Sequence, residues 1–105
     1  MTRRKIQYQW SDAWLLLATV HASANDEANI EGITEAGDGI NHAIFSEEEL
    51  AGGLSRLTTG GLVREKDGVF FPSSRVKRAL SKTTISRRSI VKQLQETERL
   101  LGLIE

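Results

Sequence analysis

Ser46-Glu47-Glu48-Glu49-Leu50-Ala51-Gly52-Gly53-Leu54-Ser55-Arg56-Leu57-Thr58-Thr59-Gly60-Gly61-Leu62-Val63-Arg64-Glu65-Lys66-Asp67-Gly68-Val69-Phe70-Phe71-Pro72 carries a helix start, a helix stop and a hairpin in one run. Ser46 can cap a helix, and Glu49, three residues on, is its capping-box partner. The acids Glu47, Glu48 and Glu49 suit the positive end of the helix dipole. Leu50, Leu54 and Leu57 then repeat at i, i+4 and i+7, a stripe that faces a core. Gly60-Gly61 ends the helix, with one glycine expected in the left-handed conformation. Two β-prone runs flank Asp67-Gly68, a pair that favours a tight hairpin turn, and Pro72 closes the second strand. A lone two-stranded hairpin is marginal, so helices must stand behind it. Alternation puts Phe70 and Phe71 on opposite faces, one against the helices and the other outward.

Upstream, residues 1–9 are polar and basic and read as a frayed tail or short arm. Ser11 or Asp12 looks like a cap before the apolar run Ala13–Val20, which predicts a well-buried first helix over roughly 11–23. Trp10, Trp14, Leu17 and His21 fall near one face, which Leu16 and Val20 broaden. Asp26 is also read as a cap. A second helix starts near Ala28 or Asn29, with Ile30, Ile33, Gly37 or Ile40, and Ile44 at helical spacing. Gly32, Gly37 and Gly39 argue against a long regular helix unless they mark a close helix crossing. Downstream, Ser73 or Ser74 caps a short helix from Arg75 to Ser81. A longer one runs from Thr83 or Thr84 to about Leu101, with apolar positions at Ile90, Val91, Leu94 and Leu101. Thr97 or Glu98 fills the gap in that stripe, so it supports one packed face and not a sustained coiled coil.

The chain has 105 residues, enough for one domain and too few for two cores. It is 27% charged and 39% hydrophobic, which is ordinary for a globular protein. Without cysteine it has no disulfide, thiolate metal site or thiol nucleophile. The longest apolar run is too short to span a bilayer, and no secretory signal is expected, which makes a cytoplasmic location the default. Net charge is zero, but through Gly60 there are 4 basic and 9 acidic residues, and from Gly61 onward 10 basic and 5 acidic. The halves therefore carry −5 and +5. The basic half suits DNA, RNA, an acidic protein, or the acidic half of a second copy.

Three helices, then Leu57-x-x-x-Gly61-Leu62-Val63 and the Asp67-Gly68 turn, resemble the winged helix-turn-helix superfamily. The resemblance spans about residues 11–80 and is strongest over 46–72. It implies an α+β, mainly helical fold: a three-helix winged helix-turn-helix with a two-stranded wing and a C-terminal helical extension. The expected organisation is a basic arm over 1–10, the winged-helix domain over 11–82, and a C-terminal helix over 83–105 available for dimerisation. By the same resemblance, helix 46–59 would be the recognition helix. A DNA-reading helix presents polar or basic side chains at its N-terminal part, whereas this one presents Glu47 and Glu48, then Gly52 and Gly53. Contact with double-stranded DNA would fall instead to Arg56, Thr58 and Thr59 late in that helix, to Arg64 and Lys66 on the wing, and to Arg75, Lys77, Arg78 and Lys82 beyond it. Such contacts go to phosphate and carry little sequence information. Dimerisation would fall to Ile90, Val91, Leu94 and Leu101. The function implied is that of a DNA-binding protein, with transcriptional regulation as the finer expectation. The alternative is a protein-interaction module of the same fold that binds no DNA. One continuous exposed patch of Arg64, Lys66, Arg75, Lys77 and Arg78 favours nucleic acid; interruption by Glu65 and Asp67 favours the alternative.

Other chemistry is weakly signalled. His21 reads as a partly buried histidine bonded to a carbonyl. Glu35, Asp38 and His42 share a helical face, but the plainer account is an Asp38–His42 pair stabilising the helix, not a metal site. No serine lies in a nucleophile elbow, and neither glycine pair has the lysine and strand-to-helix spacing of a phosphate-binding loop. No catalytic residue, metal or cofactor is expected.

Overall fold

A helix apolar all round must be buried, and residues Ala13, Leu15, Leu16, Leu17 and Ala18 have no exposed surface. The computed structural model describes residues 6–80 and 89–104. The order is α1 (Trp10–Ala24), α2 (Ile30–Asn41), α3 (Glu47–Thr59), β1 (Val63–Lys66), β2 (Val69–Pro72), α4 (Ser74–Leu80) and α5 (Ile90–Leu100). Helix α1 is the central post: α2, α3, α5 and strand β2 all pack on it. Three helices, an antiparallel hairpin and two further helices make a winged helix-turn-helix topology.

The start of α1 differs from the sequence expectation. Gln9 is the N-cap, and its backbone N–H donates to Asp12 Oδ2 at 2.9 Å, so Asp12 serves from the first turn rather than as the cap itself. Asp26 is no cap either: it turns the chain after α1 with φ 56°. Asn29 caps α2, accepting from the Gly32 N–H at 2.8 Å.

Helices α1 and α2 cross closely. The Trp14 indole N–H donates to the Gly37 carbonyl at 2.9 Å, and the Phe45 ring stacks on Trp14 with centroids 3.9 Å apart. A Cβ on Gly37 would fall 2.4 Å from the Phe45 ring. The apolar face of α2 is narrower than its isoleucine spacing predicts. Ile33 is buried, but Ile30 is 43% exposed, and Ile44, beyond the helix, is 72% exposed. His42 leaves the helix in the left-handed conformation, its N–H bonded to the Asp38 carbonyl at 2.7 Å. No ion pair joins the Asp38 and His42 side chains among the described residues.

Helix α3 begins with the reciprocal box: Glu49 N–H to Ser46 Oγ at 3.1 Å and Ser46 N–H to Glu49 Oε1 at 2.9 Å. Leu54 and Leu57 are buried and Leu50 partly so. Gly61, at φ 77°, makes the sharp exit into β1. Asp67 and Gly68 both have positive φ, 52° and 79°, as a type I′ hairpin requires. The register pairs Val63 with Pro72, Arg64 with Phe71, Glu65 with Phe70 and Lys66 with Val69. Phe70 is buried, and its N–H donates to the Ala28 carbonyl at 2.8 Å, tying the wing to the α1–α2 connection.

Ser73 Oγ accepts from the Val76 N–H at 3.4 Å at the start of α4, whose Val76 and Leu80 point inward. Helix α5 turns Gln93 and Thr97 inward, with Leu101 buried just past its end. The His21 Nε2–H donates to Gln93 Oε1 at 2.8 Å, the carbonyl oxygen of a side-chain amide. Gln93 Nε2 donates in turn to Ser89 Oγ at 3.3 Å, and Thr97 Oγ1 to the Leu94 carbonyl at 2.7 Å. Hydrogen-bonded polar groups can therefore occupy positions the apolar pattern left blank. No described helix is long and apolar enough to cross a membrane.

Two neighbouring glycines in α2 should respond oppositely to alanine. Gly37→Ala forces its methyl into the Phe45 ring and is expected to cost about 1–3 kcal/mol. Gly39, with nothing near its missing Cβ, is expected to gain about 0.5–1 kcal/mol on Gly39→Ala from helix propensity. Urea denaturation of the two variants checks the pair.

Candidate nucleic-acid interface

Glu47, Glu48, Ala51, Ser55 and Thr59 are exposed on α3, and no cation is among them. The one basic residue of α3, Arg56, turns back onto α1. Its Nε donates to Asp12 Oδ2 at 2.7 Å and its Nη2 to Asp12 Oδ1 at 2.9 Å. The Asp12 side chain is fully buried, and that of Arg56 is 27% exposed. With the Gln9 N–H also donating to it, the carboxylate is well satisfied inside the protein. The hydrogen bonds it donates to Asp12 hold the Arg56 guanidinium above its ordinary pKa. Gly53 permits this approach of α3 to α1, since a Cβ there would lie 2.5 Å from Leu15 Cδ2 and 2.8 Å from Asp12 Oδ1.

Nearby, Tyr8 lies over the end of α3, its hydroxyl where a Cβ on Gly60 would sit. Burial raises the Tyr8 phenol pKa, the Asp12 charge adds to that, and Arg75 opposes it.

The remaining candidates divide between two surfaces. A groove of about 660 Å³ lies between the end of α3, the wing and the start of α4. Thr58, Arg64 and Lys77 line it, together with Ser73 and Ser74, which sequence analysis considered only as caps. Arg64 reaches over the Phe71 ring, its guanidinium carbon 5.8 Å from the centroid, so the cation is steadied across the hairpin. Thr58 is committed: its hydroxyl donates to the Leu54 carbonyl at 2.8 Å and to that of Ser55 at 3.0 Å. Glu65 lines the same groove and sets a carboxylate beside the two cations. Arg75 and Arg78 lie elsewhere, around a shallow depression with Ala79 and Leu100. Lys66 is exposed at the strand end next to the hairpin turn, and Thr59 is exposed at the end of α3; neither lines the groove. Lys82 lies outside the described residues.

On α5, Val91 is 64% exposed, Ile90 is half-buried, and Leu94 and Leu101 pack against the protein's own core. Among the described residues no three His, Asp or Glu side chains come together to hold a metal ion.

No family model, curated protein or solved structure matches the chain. The fold therefore rests on the element order and packing, and the function on the geometry of the groove.

Gly53→Ala is expected to cost about 1–3 kcal/mol by pushing α3 off Leu15 and Asp12. It should also shift the Arg56 Nε–H resonance, reporting a disturbed ion pair. An unchanged Arg56 signal together with unchanged stability would mean that α3 has room to spare at this crossing.

Proposed function

We propose that the protein binds double-stranded DNA by its backbone, with the wing groove as the contact surface and α3 lying outside the base-reading role. Fold alone does not decide this. The observation that carries the reading is the convergence of Arg64 and Lys77 with the Ser73 and Ser74 hydroxyls on one groove. Cations and hydroxyls of this kind bind phosphate oxygens and fix orientation without reading bases. Arg64, braced on Phe71, would meet one phosphate, and Lys77 across the groove another, with Lys66 reaching beyond the wing. The acidic start of α3 would be repelled by a phosphate backbone, which keeps that helix from entering deeply. With it we propose a role in transcriptional regulation and a cytoplasmic location. Ile90 and Val91 on the outer side of α5 are where a second copy would pack if the protein acts as a dimer.

The second reading is a protein-interaction module of the same fold. It is favoured by the division of the basic residues between two surfaces, and by Glu65 lying in the groove.

An amide-shift titration with mixed-sequence duplex decides between them. The DNA reading predicts shifts over 61–66 and 71–77, spare change in 47–52, and a plot of log K against log salt with slope about −2, for two phosphate contacts. Lys77→Ala should reduce that slope by about 1. Absence of shifts at about 50 mM salt, where backbone contacts are strong, would discard the DNA reading in favour of the protein partner.

A further inference from the structure

A second cavity, of about 390 Å³, lies between the end of α1, α4 and α5. Val20, Ala24 and Leu80 give it apolar walls, while His21, Asn25, Gln93 and Lys77 supply polar edges. Its volume falls within the range of small-molecule sites, roughly 300–1,000 Å³. The wall between α1 and α5 is held in place by the His21–Gln93–Ser89 hydrogen-bond chain. Lys77 is the one cation among the described lining residues, and none of those residues is acidic. It makes no ion pair among the described residues. A cationic ligand would meet the Lys77 ammonium unfavourably, and a wholly apolar one would gain nothing from this exposed cation.

We propose that this cavity binds a small carboxylate with a compact apolar body, the carboxylate held by Lys77 and the body against Val20, Ala24 and Leu80. Lys77 also lines the wing groove. One ammonium cannot serve both anions fully, so the carboxylate and a DNA phosphate compete for it; this coupling rests on the wing-groove reading above. The cavity thereby becomes a site through which a metabolite of that class lowers affinity for nucleic acid.

The test uses hexanoate as probe on the full chain, followed by amide shifts, with hexanamide as the uncharged control. Saturable shifts at Val20, His21, Ala24, Leu80 and Gln93 are expected at millimolar probe, with hexanamide binding more weakly. Lys77→Gln should weaken hexanoate about fivefold, the size of one solvent-accessible ion pair. Ala24→Leu, which fills the cavity from an exposed helix end, should abolish the shifts while leaving the fold intact. No saturable shift at these residues, or equal affinity for hexanamide and hexanoate, would overturn the proposal. The two readings fail separately. Hexanoate binding with no duplex binding removes the DNA role and leaves the cavity site standing. Duplex binding with no hexanoate shift does the reverse. Where both bind, saturating hexanoate should weaken wild-type duplex affinity severalfold and that of Lys77→Gln hardly at all.

Discussion

The ion pair between Asp12 and Arg56 joins the first turn of α1 to the last turn of α3, and much of the molecule is arranged around it. Asp12 is buried because α1 is the central post, and a buried carboxylate is costly unless it is paired and hydrogen-bonded. Arg56 meets that need with two parallel N–H donors, and the Gln9 backbone adds a third. Gly53 is glycine because the carboxylate and Leu15 occupy the space its side chain would fill. Ion pair and glycine together bring α3 close onto α1 at this crossing.

The same clamp has a consequence for binding. In a helix presented to DNA, an arginine is the side chain best suited to reach a base or phosphate. Here it is turned inward, and the exposed face keeps only carboxylates, small residues and hydroxyls. Of the candidate cations among the described residues, the accessible ones lie on the wing and α4. Arg64 and Lys77 come together there because the hairpin folds back toward the start of α4, where the Ser73 N–H bonds to the Leu62 carbonyl at 2.8 Å. Helix periodicity separates the rest. Arg75 and Arg78, three residues apart, share one side of α4, whereas Lys77 projects from another.

Local signals were legible in the sequence. Ser46 with Glu49, the Leu54–Leu57 stripe, Gly61 and Asp67-Gly68 each act through neighbours a few residues away, and each forms the structure its pattern implies. What depended on distant partners was not legible. Nothing near Arg56 announces Asp12, so Arg56 read as a free cation. Gly37 and Gly53 signal only a missing side chain; that one faces Phe45 and the other Asp12 is a matter of packing. Gln93 and Thr97 interrupted the apolar stripe of α5, yet they face inward because His21, Ser89 and the Leu94 carbonyl satisfy them. Thr58, Arg64 and Lys77, candidates from the sequence, line one groove. The separation of Lys77 from Arg75 and Arg78 was implicit in the helical spacing of α4.

A double-mutant cycle on Asp12→Ala and Arg56→Ala, followed by urea denaturation, tests the clamp most directly. The account predicts a coupling of about 2–3 kcal/mol. Arg56→Ala should be the more damaging single change, because it leaves the buried carboxylate unpaired, and adding Asp12→Ala to it should restore part of the loss. Losses that add to within about 0.5 kcal/mol would contradict it, since residues this close are additive only when they do not interact.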